Sequence, residues 1–113
     1  MTSVLYKIKH ILKRKCSNEI NYEELKKIIK NNTKVNLIDV RSNQEYKEGH
    51  IQKAINLPIY ELDKRIQSIV NSKDEIIILY CQSDFRSKKG QKTLNKMGYS
   101  NVYYLKGGID EIS

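Results

Sequence analysis

The run Ile76–Tyr80 is uncharged and rich in β-branched residues; it stops at Cys81, and Arg86 follows after four intervening residues. Such a run reads as a strand central to a sheet. In an open parallel sheet, ligands bind beyond the carboxyl ends of the strands, and Cys81 falls at such an end. Gln82, Ser83, Asp84, Phe85 and Arg86 then lead into a helix expected over Ser87–Met97. The backbone N–H groups of a loop in that position can curl into an anion-binding nest. Arg86 adds positive potential, and Lys88 and Lys89 add more at the mouth. All of these favour thiolate over thiol, and an activated thiolate is a nucleophile for anionic or soft electrophiles. A lone cysteine ending a strand is more often a small buried apolar residue. Here the position, the arginine and the helix start agree on chemistry.

The elements that must position this loop follow from hydrophobic spacing. Glu19–Ile20 reads as a first edge strand. Asn21 and Glu24 form a capping-box pattern opening a helix with Tyr22, Leu25, Ile28 and Ile29 on one face, ended by Asn31 and Asn32. Val35–Val40 reads as a strand buried on both sides, and Ser42–Gly49 as a short helix stopped by glycine. Ala54–Leu57 is a short strand closed by Pro58; Tyr60–Val70 carries Leu62, Ile66, Ile69 and Val70 at helical spacing. Leu94 and Met97 mark the inner face of the helix after Cys81, with Gly98 just past its end. Val102–Leu105 is a last strand, and Gly107–Gly108 turns into a final helical segment. Strands alternating with helices predict an α/β domain with a mostly parallel sheet and helices on both faces.

The 113 residues suit one domain. No stretch approaches the about 20 apolar residues of a membrane span, and the N-terminus lacks the pattern of a secretory signal. The two cysteines, Cys16 and Cys81, are far apart and form no disulfide framework, so a cytoplasmic setting is expected. His10 and His50 are isolated, and no cluster has metal-ligand spacing. The net charge is +8, but lysine dominates and no nucleic-acid-binding motif is present, so no nucleic-acid partner is expected. Residues 1–16 hold five Lys/Arg and no acid, with Val4, Leu5, Ile8, Ile11 and Leu12 at helical spacing. Residues 1–17 therefore read as a basic amphipathic helix ahead of a domain at 18–113. It packs on the domain or contacts an anionic membrane or acidic partner.

With these pieces in place, the chain resembles a single-domain rhodanese from about Ile20 to Ile112. The matching pieces are Leu37–Pro58 (LIDVRSNQEYKEGHIQKAINLP), Cys81–Ser87 (CQSDFRS) and Met97–Ile112 (MGYSNVYYLKGGIDEI). The resemblance implies a central five-stranded parallel sheet with helices on both faces and a sulfurtransferase without cofactor or metal. Cys81 would be catalytic, taking a sulfane sulfur from thiosulfate, a polysulfide or a persulfide and passing it to a thiophile such as cyanide or a thiol. Gln82, Ser83, Asp84, Phe85, Arg86 and Ser87 would bind the substrate. Related phosphatases and arsenate reductases use a longer loop suited to a tetrahedral oxyanion; the shorter one here suits sulfur held on cysteine.

A second reading makes the domain a sulfur carrier that hands its persulfide to a protein acceptor with little small-molecule turnover. A non-catalytic interaction domain fits less well, because Cys81 and Arg86 are both present. Three residues depart from the family pattern. Asp84 replaces a frequent glycine and should repel an anionic donor unless it faces solvent or pairs with Lys88 or Arg86. Lys53 also replaces a glycine, and Ile112 a tryptophan. Phe85 is expected either as a buried anchor or at the pocket mouth. Asp39 and Arg41 are expected as an ion pair near the loop, His50 as a hydrogen-bonded structural residue, and Cys16 as uninvolved.

Overall fold

The computed structural model describes residues 18–31 and 34–112. The amphipathic pattern of residues 1–17 and Cys16 lie outside the described residues. In chain order the elements are β1 (Glu19–Ile20), α1 (Tyr22–Lys30), β2 (Asn36–Asp39), α2 (Asn43–Glu48) and β3 (Ile55–Asn56). A 3-10 turn (Ile59–Glu61) leads into α3 (Leu62–Ile69), followed by β4 (Ile77–Tyr80), α4 (Phe85–Lys96), β5 (Val102–Leu105) and a 3-10 segment at Gly108–Glu111. The five strands form one sheet in the order β1-β5-β4-β2-β3, and every pairing is parallel.

Strand β4 lies at the centre, and its alternation builds both halves of the core. Ile77, Leu79 and Cys81 face Leu62 and Ile66 of α3 and Leu94 of α4. Ile78 and Tyr80 face the other way, with Leu25 and Ile28 of α1, Leu37 and Leu105. Burial on both faces is why the sequence shows a continuous apolar run rather than strict alternation. The strand order reverses between β2 and β4, the arrangement that opens a crevice at the carboxyl edge of a parallel sheet. Cys81 follows β4 there, and Arg41 follows β2.

Helix α1 carries the expected capping box: Asn21 Oδ1 accepts from Glu24 N–H at 2.8 Å, and Glu24 Oε1 accepts from Asn21 N–H at 3.0 Å. Helix α2 has a second one between Ser42 and Glu45, and Gly49 ends it. Lys53, at the family's glycine position, has φ +74°. A left-handed backbone there explains why glycine would be favoured. Ile112 is half-buried against the α1 side of the core.

Candidate active-site loop

The loop after β4 is held from behind. Gly107 N–H donates to Asp84 Oδ1 at 2.8 Å, Ile109 N–H to the Cys81 carbonyl at 3.0 Å, and Asp110 N–H to the Gln82 carbonyl at 3.0 Å. The Gln82 side-chain amide donates to Asp110 Oδ1. Gly108 allows this close approach: a Cβ there would sit 2.5 Å from the Cys81 and Ser83 carbonyl oxygens and 2.6 Å from that of Gln82. Its φ of +60° also favours glycine.

With loop carbonyls drawn toward this strap, loop amides are left for a ligand. Among the described residues, the backbone N–H groups of Gln82, Ser83, Asp84, Phe85 and Arg86 have no acceptor. Helix α4 starts at Phe85, two residues earlier than the sequence spacing suggests, with Asp84 at its N-cap position. Asp84 does not cap the helix, because its carboxylate is taken by Gly107. The first-turn amides, unsatisfied in any helix, therefore stay available to an anion.

Cys81 is 1% exposed. Its Sγ accepts from Ser87 N–H at 3.4 Å, and its thiol donates to Ser87 Oγ at 3.5 Å, whose hydroxyl in turn donates to the Asp84 carbonyl at 3.0 Å.

The guanidinium of Arg86 departs from the sequence expectation. It makes a two-point contact with Glu45 of α2, Nη1 to Oε1 at 2.7 Å and Nη2 to Oε2 at 2.9 Å. Arg86 stays within electrostatic range of Cys81, but its charge is matched by a carboxylate. Asp84 departs too: it pairs with a backbone N–H rather than with Lys88 or Arg86, while Lys88 lies 5.6 Å over the Tyr104 ring. Phe85 is 81% exposed, so it is no buried anchor.

Asp39 and Arg41 form the expected ion pair, both buried, with Nη2 to Oδ2 at 2.8 Å. Arg41 also donates to the Gly49 carbonyl at 2.6 Å and reaches Gln82 Oε1 at 3.4 Å, joining the β2 end to the loop. His50 is exposed, hydrogen-bonded through Nδ1 to the Tyr46 carbonyl and stacked on the Tyr46 ring at 3.6 Å. The sequence reading passed over Glu45 and Gly108. Glu45 lies in the short helix expected over Ser42–Gly49, and nothing in its sequence neighbourhood points to Arg86. Gly108 looked like an ordinary turn residue.

Hydrogen bonds from Arg86, helped by those from Ser42, hold the Glu45 carboxyl down at about 2, against the opposing effect of burial. A carboxyl depressed on folding contributes stability that is complete above its unfolded value of 4.5 and is lost as the pH falls to about 2. The pair is partly exposed, so screening reduces the contribution to about 1 kcal/mol. Denaturant unfolding between pH 5 and 2 is expected to show a steeper loss in the wild type than in Glu45→Gln. Identical slopes would mean that the pair contributes nothing to acid stability.

The chain belongs to the rhodanese-like domain family, whose model matches residues 21–113. It is 40% identical over 92 residues to the probable molybdopterin-synthase adenylyltransferase of Porphyra purpurea, covering 80% of this chain but 24% of that protein. It is 36% identical over 76 residues to thiosulfate sulfurtransferase PspE of Escherichia coli K12, covering 67% of this chain and 72% of the relative. The chain thus spans about a quarter of one relative and most of the other. Among solved structures, a rhodanese with anions from E. coli superposes with a TM-score of 0.65 at 34% identity, covering 71% of this chain and 93% of the other.

Proposed function

We propose that this domain transfers sulfane sulfur through a persulfide on Cys81. The observation that carries this reading is the Ser87 N–H donated to Cys81 Sγ beneath a loop whose carbonyls are tied back and whose amides are open. The Cys81 thiolate attacks the outer sulfur of the donor. With thiosulfate, the donor S–S bond breaks, sulfite leaves with the electron pair, and Cys81 carries S–S⁻. Cyanide or a thiolate then attacks the outer sulfur, the new S–S bond breaks, and the Cys81 thiolate returns. No electrons are gained or lost overall. The loop amides and the start of α4 stabilise the anionic persulfide. The named activity of the E. coli relative supports the same reaction class.

The test is intact mass after incubation with thiosulfate, polysulfide or an organic persulfide. A gain of one sulfur (about 32 Da) that cyanide removes is expected. No gain with any donor would sink the proposal. Loading with slow thiosulfate:cyanide turnover would favour the carrier form, in which a protein thiol takes the sulfur.

A further inference from the structure

Helix α4 is charged unlike the other helices. Helices α1, α2 and α3 each carry an acid in the first turn, and α1 and α2 carry lysine in the last, as the helix dipole favours. Helix α4 (FRSKKGQKTLNK) contains no acid. Lys88, Lys89, Lys92 and Lys96 are all exposed on it, and only Lys96 stands at the end where the dipole favours a cation. Helical geometry places these lysines and exposed Phe85 within about a third of the circumference, in a stripe about 16 Å long. The stripe begins at the loop after Cys81. Lys88 and Lys92, and Lys92 and Lys96, are like charges one turn apart, a spacing that destabilises a helix. All 13 side-chain carboxylates of the chain lie among the described residues, and none forms an ion pair with these four lysines. Residues 1–17 contain no acid and supply no counter-charge.

Resting on the sulfur-transfer reading, we infer that the Phe85–Lys96 stripe docks an acidic partner protein whose thiol takes the sulfur from Cys81. The partner's carboxylates lie along the lysines, and an apolar group covers Phe85. That alignment brings the thiol to the start of α4, beside the buried Cys81. The partner's thiolate attacks the outer sulfur of the Cys81 persulfide. The persulfide S–S bond breaks, the Cys81 thiolate leaves with the electron pair, and the partner carries S–S⁻. The step needs no oxidant or reductant. A thiol accepts sulfur without prior activation, whereas a nucleic-acid base would first need a leaving group on the accepting carbon; the chemistry therefore favours a protein over RNA.

The probes are two amidated peptides of about 12 residues, a length that matches α4. Each has an N-terminal cysteine followed by leucine; one carries glutamates at helical spacing and the other glutamines in their place. Cys81 is loaded with a small donor, excess donor is removed, and discharge to each peptide is followed by intact mass. On the wild type, the second-order rate constant for the glutamate peptide is expected to exceed that for the glutamine peptide about tenfold. In Lys89→Gln/Lys92→Gln this ratio should fall about three- to fivefold. Glutamine is a good helix former, so the variant keeps α4. The control Lys27→Gln/Lys30→Gln has the same net charge, changed on α1 across the sheet, and should keep the ratio. Residues 1–17 are present in every protein, so their charge produces no difference between the variants. A wild-type ratio near one, an unchanged ratio in Lys89→Gln/Lys92→Gln, or an equal fall in the control would overturn the inference and leave sulfur transfer standing. So would a single-stranded RNA that blocks discharge at lower concentration than a cysteine-free glutamate peptide, because the stripe would then belong to nucleic acid. If no donor loads Cys81, the sulfur-transfer reading fails and takes this inference with it.

Discussion

Replacing Cys81 by serine is expected to abolish sulfur loading and to lower turnover by at least about 10³-fold while leaving the fold in place. A serine hydroxyl is scarcely ionised at neutral pH, and oxygen cannot form the S–S bond that stores the transferred sulfur. The site nevertheless suits a hydroxyl. Cys81 is buried, and the Ser87 N–H and hydroxyl that meet its sulfur can satisfy a serine oxygen. The buried polar atom is then hydrogen-bonded, so the stability change should stay within about 1 kcal/mol. Turnover within tenfold of wild type, in a variant that melts within a few degrees of it, would show that the sulfur does not pass through Cys81.

Gly108→Ala is the second large effect, and it comes from outside the loop. The added methyl would meet three backbone oxygens at 2.5–2.6 Å, none on a flexible side chain that could swing away. The strained φ of +60° adds to this. Either the loop lifts off the strap or the strap moves, and both disturb the hydrogen bonds from Ile109 and Asp110 to the loop carbonyls. The expected loss is about 3 kcal/mol, a melting point lower by about 10–20 °C for a domain of this size. Loading of Cys81 should fall with it, because the amides lose their fixed orientation. A variant with wild-type melting and loading rate would refute the role assigned to the close approach.

The same arrangement revises what Asp84 means. From the sequence it is a charge out of place in an anion cradle. In the fold, its carboxylate fastens the loop to Gly107 and leaves the α4 amides uncapped. Asp84→Gly would relieve some repulsion and remove this attachment, two effects that oppose each other.

Local and periodic information carried most of the architecture. Leu25 and Ile28, Leu62 and Ile66, and the run at Ile77–Tyr80 name their own faces, because a buried surface must repeat with the period of its element. Placing Cys81 at a strand end with a loop and helix start after it also followed from the chain alone, since both depend on neighbours in sequence. Glu45 with Arg86, Gly108 with the loop carbonyls, and Asp84 with Gly107 were not legible in that way. The first pair is 41 residues apart and the last 23, and neither charge pattern nor propensity specifies which groups the sheet will bring together. The sequence by itself therefore determined where the candidate nucleophile sits, at a strand end ahead of a helix. Only the tertiary structure decided which charges the cradle keeps, because the strand order brings α2 and the Gly107–Asp110 strap to either side of one loop.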